Sequence, residues 1–219
     1  MPKRNIIKAI IFDIDGTLSS EVSWLKLTEG LGASVQKHME IFEKYLNREI
    51  SYKDAKGDLI RLWQTTGNAN KDYMSEMFSS WKLKDDAHEI ISYLCNHYKI
   101  VLISGSIDLY VKSVANKLGI EDWYANTKTD WDKNSELIDF HCFRNQALKK
   151  LTQFRQFKKK YSLKYKECAA VGDGDTDLLL LQRVKTSILV KKEKTHPELE
   201  PYAFKKIDRL KELKKIFSN

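Results

Sequence analysis

The sequence predicts an α/β protein, a mainly parallel sheet with helices on both faces, interrupted after its first strand by a helical insertion. Three observations carry this. Short apolar runs recur at 6–12, 100–103, 168–171 and 187–190, as expected of strands buried on both faces. Stretches with three- and four-residue apolar spacing separate them, the alternation that builds parallel βαβ units. Between the first and second runs, 22–81 shows helical spacing alone.

The first strand is read at Ile6 to Phe12, with Gly16-Thr17 turning the chain at its end. In the insertion, Val35, Met39, Phe42 and Leu46, then Ala55, Leu59, Leu62 and Trp63, mark amphipathic helices broken near Ser51 and Gly67, and a third passes through Tyr73, Met77 and Phe78. Asp85-Asp86 open a helix to about His97. Ile100 to Ile103 is a strand ending at Ser104-Gly105-Ser106, followed by a helix over 107–118 that Gly119 stops. Trp123 to Phe140 is expected to form a hairpin turning near Lys133-Asn134. Phe143, Ala147, Leu148, Leu151, Phe154 and Phe157 mark a long helix. Strands at 168–171, 187–190 and 203–207, with helices from Leu178 and at the C-terminus, complete the pattern.

A chain of 219 residues accommodates one domain with a large insertion or two small ones. Hydrophobic content of 42% and five tryptophans exclude a disordered chain. The net charge of +8 reflects 38 basic and 30 acidic residues, with lysine dense in 157–166, 191–194 and 205–215. A solvated basic surface, which also suits a small anionic substrate, explains this better than nucleic-acid binding. Cys95, Cys142 and Cys168 lack C-x-x-C spacing, so neither a disulfide framework nor a zinc site is indicated, and a reducing cytoplasm is expected. After Met1-Pro2-Lys3-Arg4 the apolar run is cut at Asp13, too soon for a signal peptide or a membrane span.

Chemistry is expected where the strands end. Asp13 and Asp15 are two apart, so in extended geometry their carboxylates leave one face, close enough to share a cation. Ser104 and Asp173 also follow apolar strands, and ligands of such sheets bind beyond the strands' carboxyl ends.

Asp13-x-Asp15-Gly16-Thr17, then Ser104, a basic residue near the start of a later helix, and Gly172-Asp173-x-x-x-Asp177 together resemble the four motifs of the haloacid dehalogenase-like hydrolase superfamily. The long helical insertion resembles its phosphoserine-phosphatase-like branch. The resemblance implies a Rossmann-like core over 1–20 and 82–219, a helix-bundle cap over 21–81, and a Mg2+-dependent phosphatase acting on a small phosphorylated metabolite. A carboxylate can attack phosphorus to give an acyl phosphate, and a second can protonate the leaving oxygen and then activate water. These roles fall to Asp13 and Asp15. Asp13 and Asp173 are the expected side-chain metal ligands, the resemblance adds the Asp15 backbone carbonyl, and Asp177 binds through water or orients the loop. A calcium loop at 172–177 lacks the later ligands an EF-hand needs.

Ser104, which also reads as a helix N-cap, and the Gly105 amide are expected to hold phosphate oxygens. The basic partner is Arg144 or Lys150: the helix opened by Arg144 resembles the family's lysine-led helix, which favours Arg144 although lysine is usual there, and a surface salt bridge is the alternative for either. In the cap, Glu21, Phe42 and Arg48 are the candidate substrate contacts, although Glu49 stands where the branch carries its carboxylate-binding arginine. The competing functions are a phosphotransferase on the same fold and a non-catalytic, basic nucleic-acid-binding protein. A dehalogenase is disfavoured by the second carboxylate, Asp15.

Overall fold

The computed structural model describes residues 7–191 and 197–218. Met1-Pro2-Lys3-Arg4, Ile6 of the expected first strand and the lysines at 192 and 194 lie outside them. Strands β1 (Ala9–Phe12), β2 (Lys99–Ile107), β3 (Asp122–Trp131), β4 (Leu137–Cys142), β5 (Cys168–Gly172), β6 (Thr186–Val190) and β7 (Lys205–Ile207) form one sheet in the order β4-β3-β2-β1-β5-β6-β7. Neighbours pair in parallel except β4, which returns antiparallel on β3 as the expected hairpin. Phe12 registers with Leu102 on one side and Val171 on the other, so Asp13, Ser104 and Asp173 emerge at one edge. The chain leaves β1 toward β2 first and returns to its other side at β5, a topological switch point.

Alternate residues of the strands face opposite layers. Ile10, Phe12, Leu102 and Val171 join the cluster with helices α5 (Ala87–Cys95), α6 (Asp108–Leu118) and α9 (Leu213–Phe217). Ile11, Val101, Ile103 and Ala170 instead meet α7 (Gln146–Lys160) and α8 (Leu178–Leu181). The insertion supplies α1 (Ser23–Gly30), α2 (Val35–Leu46), α3 (Tyr52–Gln64) and α4 (Lys71–Ser80). Ser34, Ser51 and Asn70 cap α2, α3 and α4 by accepting backbone N–H bonds. Its apolar face does not form a separate core. Phe78 and Trp81 pack on Tyr110 of α6 with ring centroids 5.5 and 5.1 Å away, and Leu59, Trp63 and Met74 share one buried cluster with β1 and β2.

Two boundaries differ from expectation, and both matter for the site. β2 continues past Ser104 to Ile107, shifting its register against β3 there, and α6 begins only at Asp108. Ser104 is therefore not a helix cap. Its hydroxyl accepts the Ser106 N–H at 3.2 Å instead. Helix α7 begins at Gln146 because the Asn145 side chain accepts the Leu148 N–H at 3.0 Å, leaving Phe143 exposed in the preceding turn. Gly119 ends α6 as expected, with φ of 65°.

Surface lysines pair with acidic neighbours, among them Lys8 with Glu167, Lys160 with Asp122 and Lys214 with Glu89. No described helix is long and apolar enough to cross a membrane, and the three cysteines are free.

Candidate active site

Three carboxylates converge where β1 and β5 end. The Asp13 N–H donates to the Val171 carbonyl at 3.0 Å, holding the loop after β1 against β5. One oxygen each of Asp13, Asp173 and Asp177 lies within 4.8 Å of the others, and all three residues are buried. Thr17 donates its hydroxyl to Asp173 Oδ1 at 2.9 Å. Asp177 Oδ2 accepts the Asp173 and Gly174 N–H groups at 3.1 and 3.4 Å, so this carboxylate braces its own loop. Gly172 makes the brace possible, because a Cβ there would stand 2.5 Å from Asp177 Cγ.

Lys150 completes the cluster. It is 0% exposed, and its Nζ lies 2.8 Å from Asp13 Oδ1 and 2.7 Å from Asp177 Oδ1. Burial works against its charge, but Asp13 and Asp177 outweigh it and hold the ammonium above the usual lysine range. Burial likewise pushes the Asp13 carboxyl well up, opposed by Lys150 and reinforced by Asp177 and Asp173. Three carboxylates face one ammonium in this pocket, an all-oxygen donor set with more acidic than basic groups, which fits a hard divalent cation.

Asp15 is held separately. Its Oδ2 accepts the Ser23 N–H at 3.0 Å and the Ser23 hydroxyl at 2.6 Å, and Ser23 Oγ in turn meets Ser106 Oγ at 2.5 Å. Its Oδ1 is buried with no hydrogen-bond partner among the described residues. Burial raises this carboxyl too, against the lowering effect of the two Ser23 bonds. Ser104, Gly105, Lys150 and Gln146 line the same cavity of about 330 Å3 as Asp13, Asp15 and Asp173. Gln146 is fixed by donating to Cys142 Sγ at 2.8 Å and accepting from Asn126.

Among the residues singled out from the sequence, the structure brings together Asp13, Asp15, Ser104, Gly105, Lys150, Asp173 and Asp177. The preference for Arg144 over Lys150 is corrected. With α7 starting at Gln146, Lys150 falls on its buried face, whereas Arg144 is exposed, 3.3 Å from the Tyr45 hydroxyl and over the Tyr52 ring. Two of the three cap candidates stand apart from the cavity around Asp13. Glu21 is exposed and paired with Lys26, Arg48 is exposed, and neither lines the cavity around Asp13. Phe42 borders an adjoining cavity instead. Ser23, Ser106, Thr17 and Gln146 were not singled out. Only Thr17 had a signal, its place beside Asp15-Gly16, because the others are brought to the site by the packing of separate elements.

A sequence profile of haloacid dehalogenase-like hydrolases matches residues 10–182. The chain belongs to this family. A phosphoserine phosphatase of Archaeoglobus fulgidus is 24% identical over 190 residues, covering 83% of this chain. The chain spans about half of that relative, 52% of its length. Among solved structures, a phospho-aspartyl intermediate analogue of phosphoserine phosphatase superposes with a TM-score of 0.72 at 19% identity, covering 96% of this chain and 99% of that one. A HAD family hydrolase from Salmonella enterica serovar Typhi gives 0.76 at 18% identity, over 94% of this chain and 69% of that one. These structural likenesses bear on the fold, whose α/β sheet they share.

Proposed function

We propose that this family member is a phosphomonoesterase that hydrolyses a small phosphorylated metabolite through a phospho-Asp13 intermediate, in the cytoplasm, with residues 21–81 as the cap over its site. The observation that carries this reading is the division of labour between two neighbouring carboxylates. Asp13 is buried beside Lys150, while Asp15 has one oxygen clamped by Ser23 and the other unengaged.

Asp13 attacks phosphorus, forming a carboxyl–phosphate bond as the bond to the alcohol oxygen breaks. Asp15, its carboxyl raised by burial, gives its proton to that oxygen and then takes one from the water that cleaves the acyl phosphate. Ser104 and the Gly105 N–H hold the phosphoryl oxygens, and Lys150 offsets charge on Asp13. Mg2+ held by Asp13, Asp173 and the Asp15 carbonyl would supply charge compensation between nucleophile and phosphate. Thr17 keeps Asp173 oriented, and Asp177 keeps the loop and Lys150 in place.

The test is phosphate release from a panel of phosphomonoesters, with magnesium and with chelator, by the wild type and the near-isosteric Asp13→Asn variant. Metal-dependent release that this substitution abolishes is the expected result. Release unchanged in Asp13→Asn overturns the mechanism.

A further inference from the structure

Beside the cavity around Asp13 lies a second one of about 390 Å3, within the size range of small-molecule pockets. Val22 and Trp24 line both, so the two share a wall. The second is walled by side chains of α1, α2, α3 and β4, chiefly Leu25, Met39, Phe42, Tyr45, Leu59 and Phe140. Among the described residues no carboxylate and no arginine lines it. Its two basic groups are spent. Lys56 donates to Asp139 at 3.0 Å and stands 2.7 Å from the other oxygen of that carboxylate. His38 is buried, and its Nδ1 lies 2.6 Å from the Thr28 hydroxyl. An amino-acid ammonium and carboxylate would lose their hydration here and find no opposite charge.

We infer that this cavity receives the alcohol portion of the substrate, so that the preferred substrates are phosphate monoesters of uncharged, mainly apolar alcohols, alkyl or aryl. The inference rests on the phosphomonoesterase reading and adds the substrate class. The phosphoryl group sits at Asp13, and the ester oxygen faces Asp15. The organic group then runs along Val22 and Trp24, which line both cavities, into the apolar chamber. Arg144, over the Tyr52 ring and against the Tyr45 hydroxyl, buttresses the aromatic side of that chamber.

The experiment compares kcat/KM for ethyl, butyl and hexyl phosphate, phenyl and naphthyl phosphate, and phosphoserine. In parallel, binding of hexylphosphonate and ethylphosphonate, whose carbon–phosphorus bonds resist this hydrolysis, is followed by tryptophan fluorescence. Each added methylene is expected to raise kcat/KM about fourfold until the chamber is full, with phosphoserine below hexyl phosphate. Phe42 is 46% exposed at the rim, so Phe42→Asp should fold, and it should flatten the dependence on chain length in both assays. The alkyl and aryl series show which shape fits better.

Phosphoserine turned over as well as hexyl phosphate or better, with no gain along the alkyl series, overturns the inference and leaves the phosphatase reading standing. No hydrolysis of any ester, with phosphonate binding that still tightens with chain length and is lost in Phe42→Asp, overturns the phosphatase reading and keeps the apolar ligand site. A dimer that Phe42→Asp dissociates, without any chain-length dependence, makes the rim a contact between copies of this chain and overturns the inference.

Discussion

Replacing Lys150 with methionine keeps most of the side-chain volume and removes the charge that lies 2.8 Å from Asp13 and 2.7 Å from Asp177. The ammonium is inaccessible to water, so the loss is not screened, and breaking such a pair by deleting one partner costs about 3–5 kcal/mol. For a chain of this size each kcal/mol lowers Tm by about 2–4 °C, so a fall of about 6–20 °C is expected. The measurement is thermal unfolding in chelator, so that no cation replaces the lost charge. The deficit should also depend on pH in a defined direction. Asp13 is already held well above its ordinary range by burial, and losing the Lys150 charge, which opposes that rise, pushes it higher still. A carboxyl whose folded pKa exceeds its unfolded one destabilises the fold increasingly as pH rises from the unfolded to the folded value. Protonation relieves the variant in acid, so the gap to wild type should be smaller near pH 5 than near pH 8. The exposed Arg144→Ala serves as the control, with a change of about 0.5 kcal/mol or less. A Lys150→Met variant melting with the wild type, or a gap wider in acid than in alkali, would refute the electrostatic account of this cluster.

The same competition between protons and a cation predicts that magnesium raises the wild-type Tm more at pH 8 than at pH 5, checked by melts with and without the metal. Ser23→Ala removes the 2.6 Å bond to Asp15, and a hydrogen bond to a charged group is worth about 1.5–3 kcal/mol. The proposed mechanism then loses about tenfold or more in kcat/KM, and the pH dependence assigned to Asp15 moves upward. Gly172→Ala forces a methyl to within 2.5 Å of Asp177, and destabilisation of about 1–3 kcal/mol is expected, read as a lower midpoint in a denaturant titration. Cys168 is buried with its thiol pushed up to about 12. Alkylation at pH 8 followed by mass mapping should label the exposed Cys95 and spare Cys168 until denaturant is added.

The sequence by itself determined the strand–helix alternation, the placement of Asp13 and Asp173 just beyond strands, and the stop at Gly119, because these depend on local patterns. A run of apolar residues followed by a carboxylate and glycine reads the same whatever packs against it. Gly172 was legible for the same reason, although its purpose, room for the Asp177 carboxylate, was not. The choice of Lys150 over Arg144 needed the tertiary structure. It turns on one cap, Asn145, which sets the phase of α7 and so decides which basic side chain faces Asp13. The Ser23 clamp on Asp15 joins the start of α1 to the loop after β1 and to the bulged end of β2. No spacing along the chain encodes that meeting. The lining of the cap was least legible, since Glu21 could be read as a substrate contact until Lys26 was seen beside it. Which cap residues surround the second cavity depends on how α1, α2 and α3 close against β4, a packing that minimises exposed apolar surface over the whole molecule and not within any one segment.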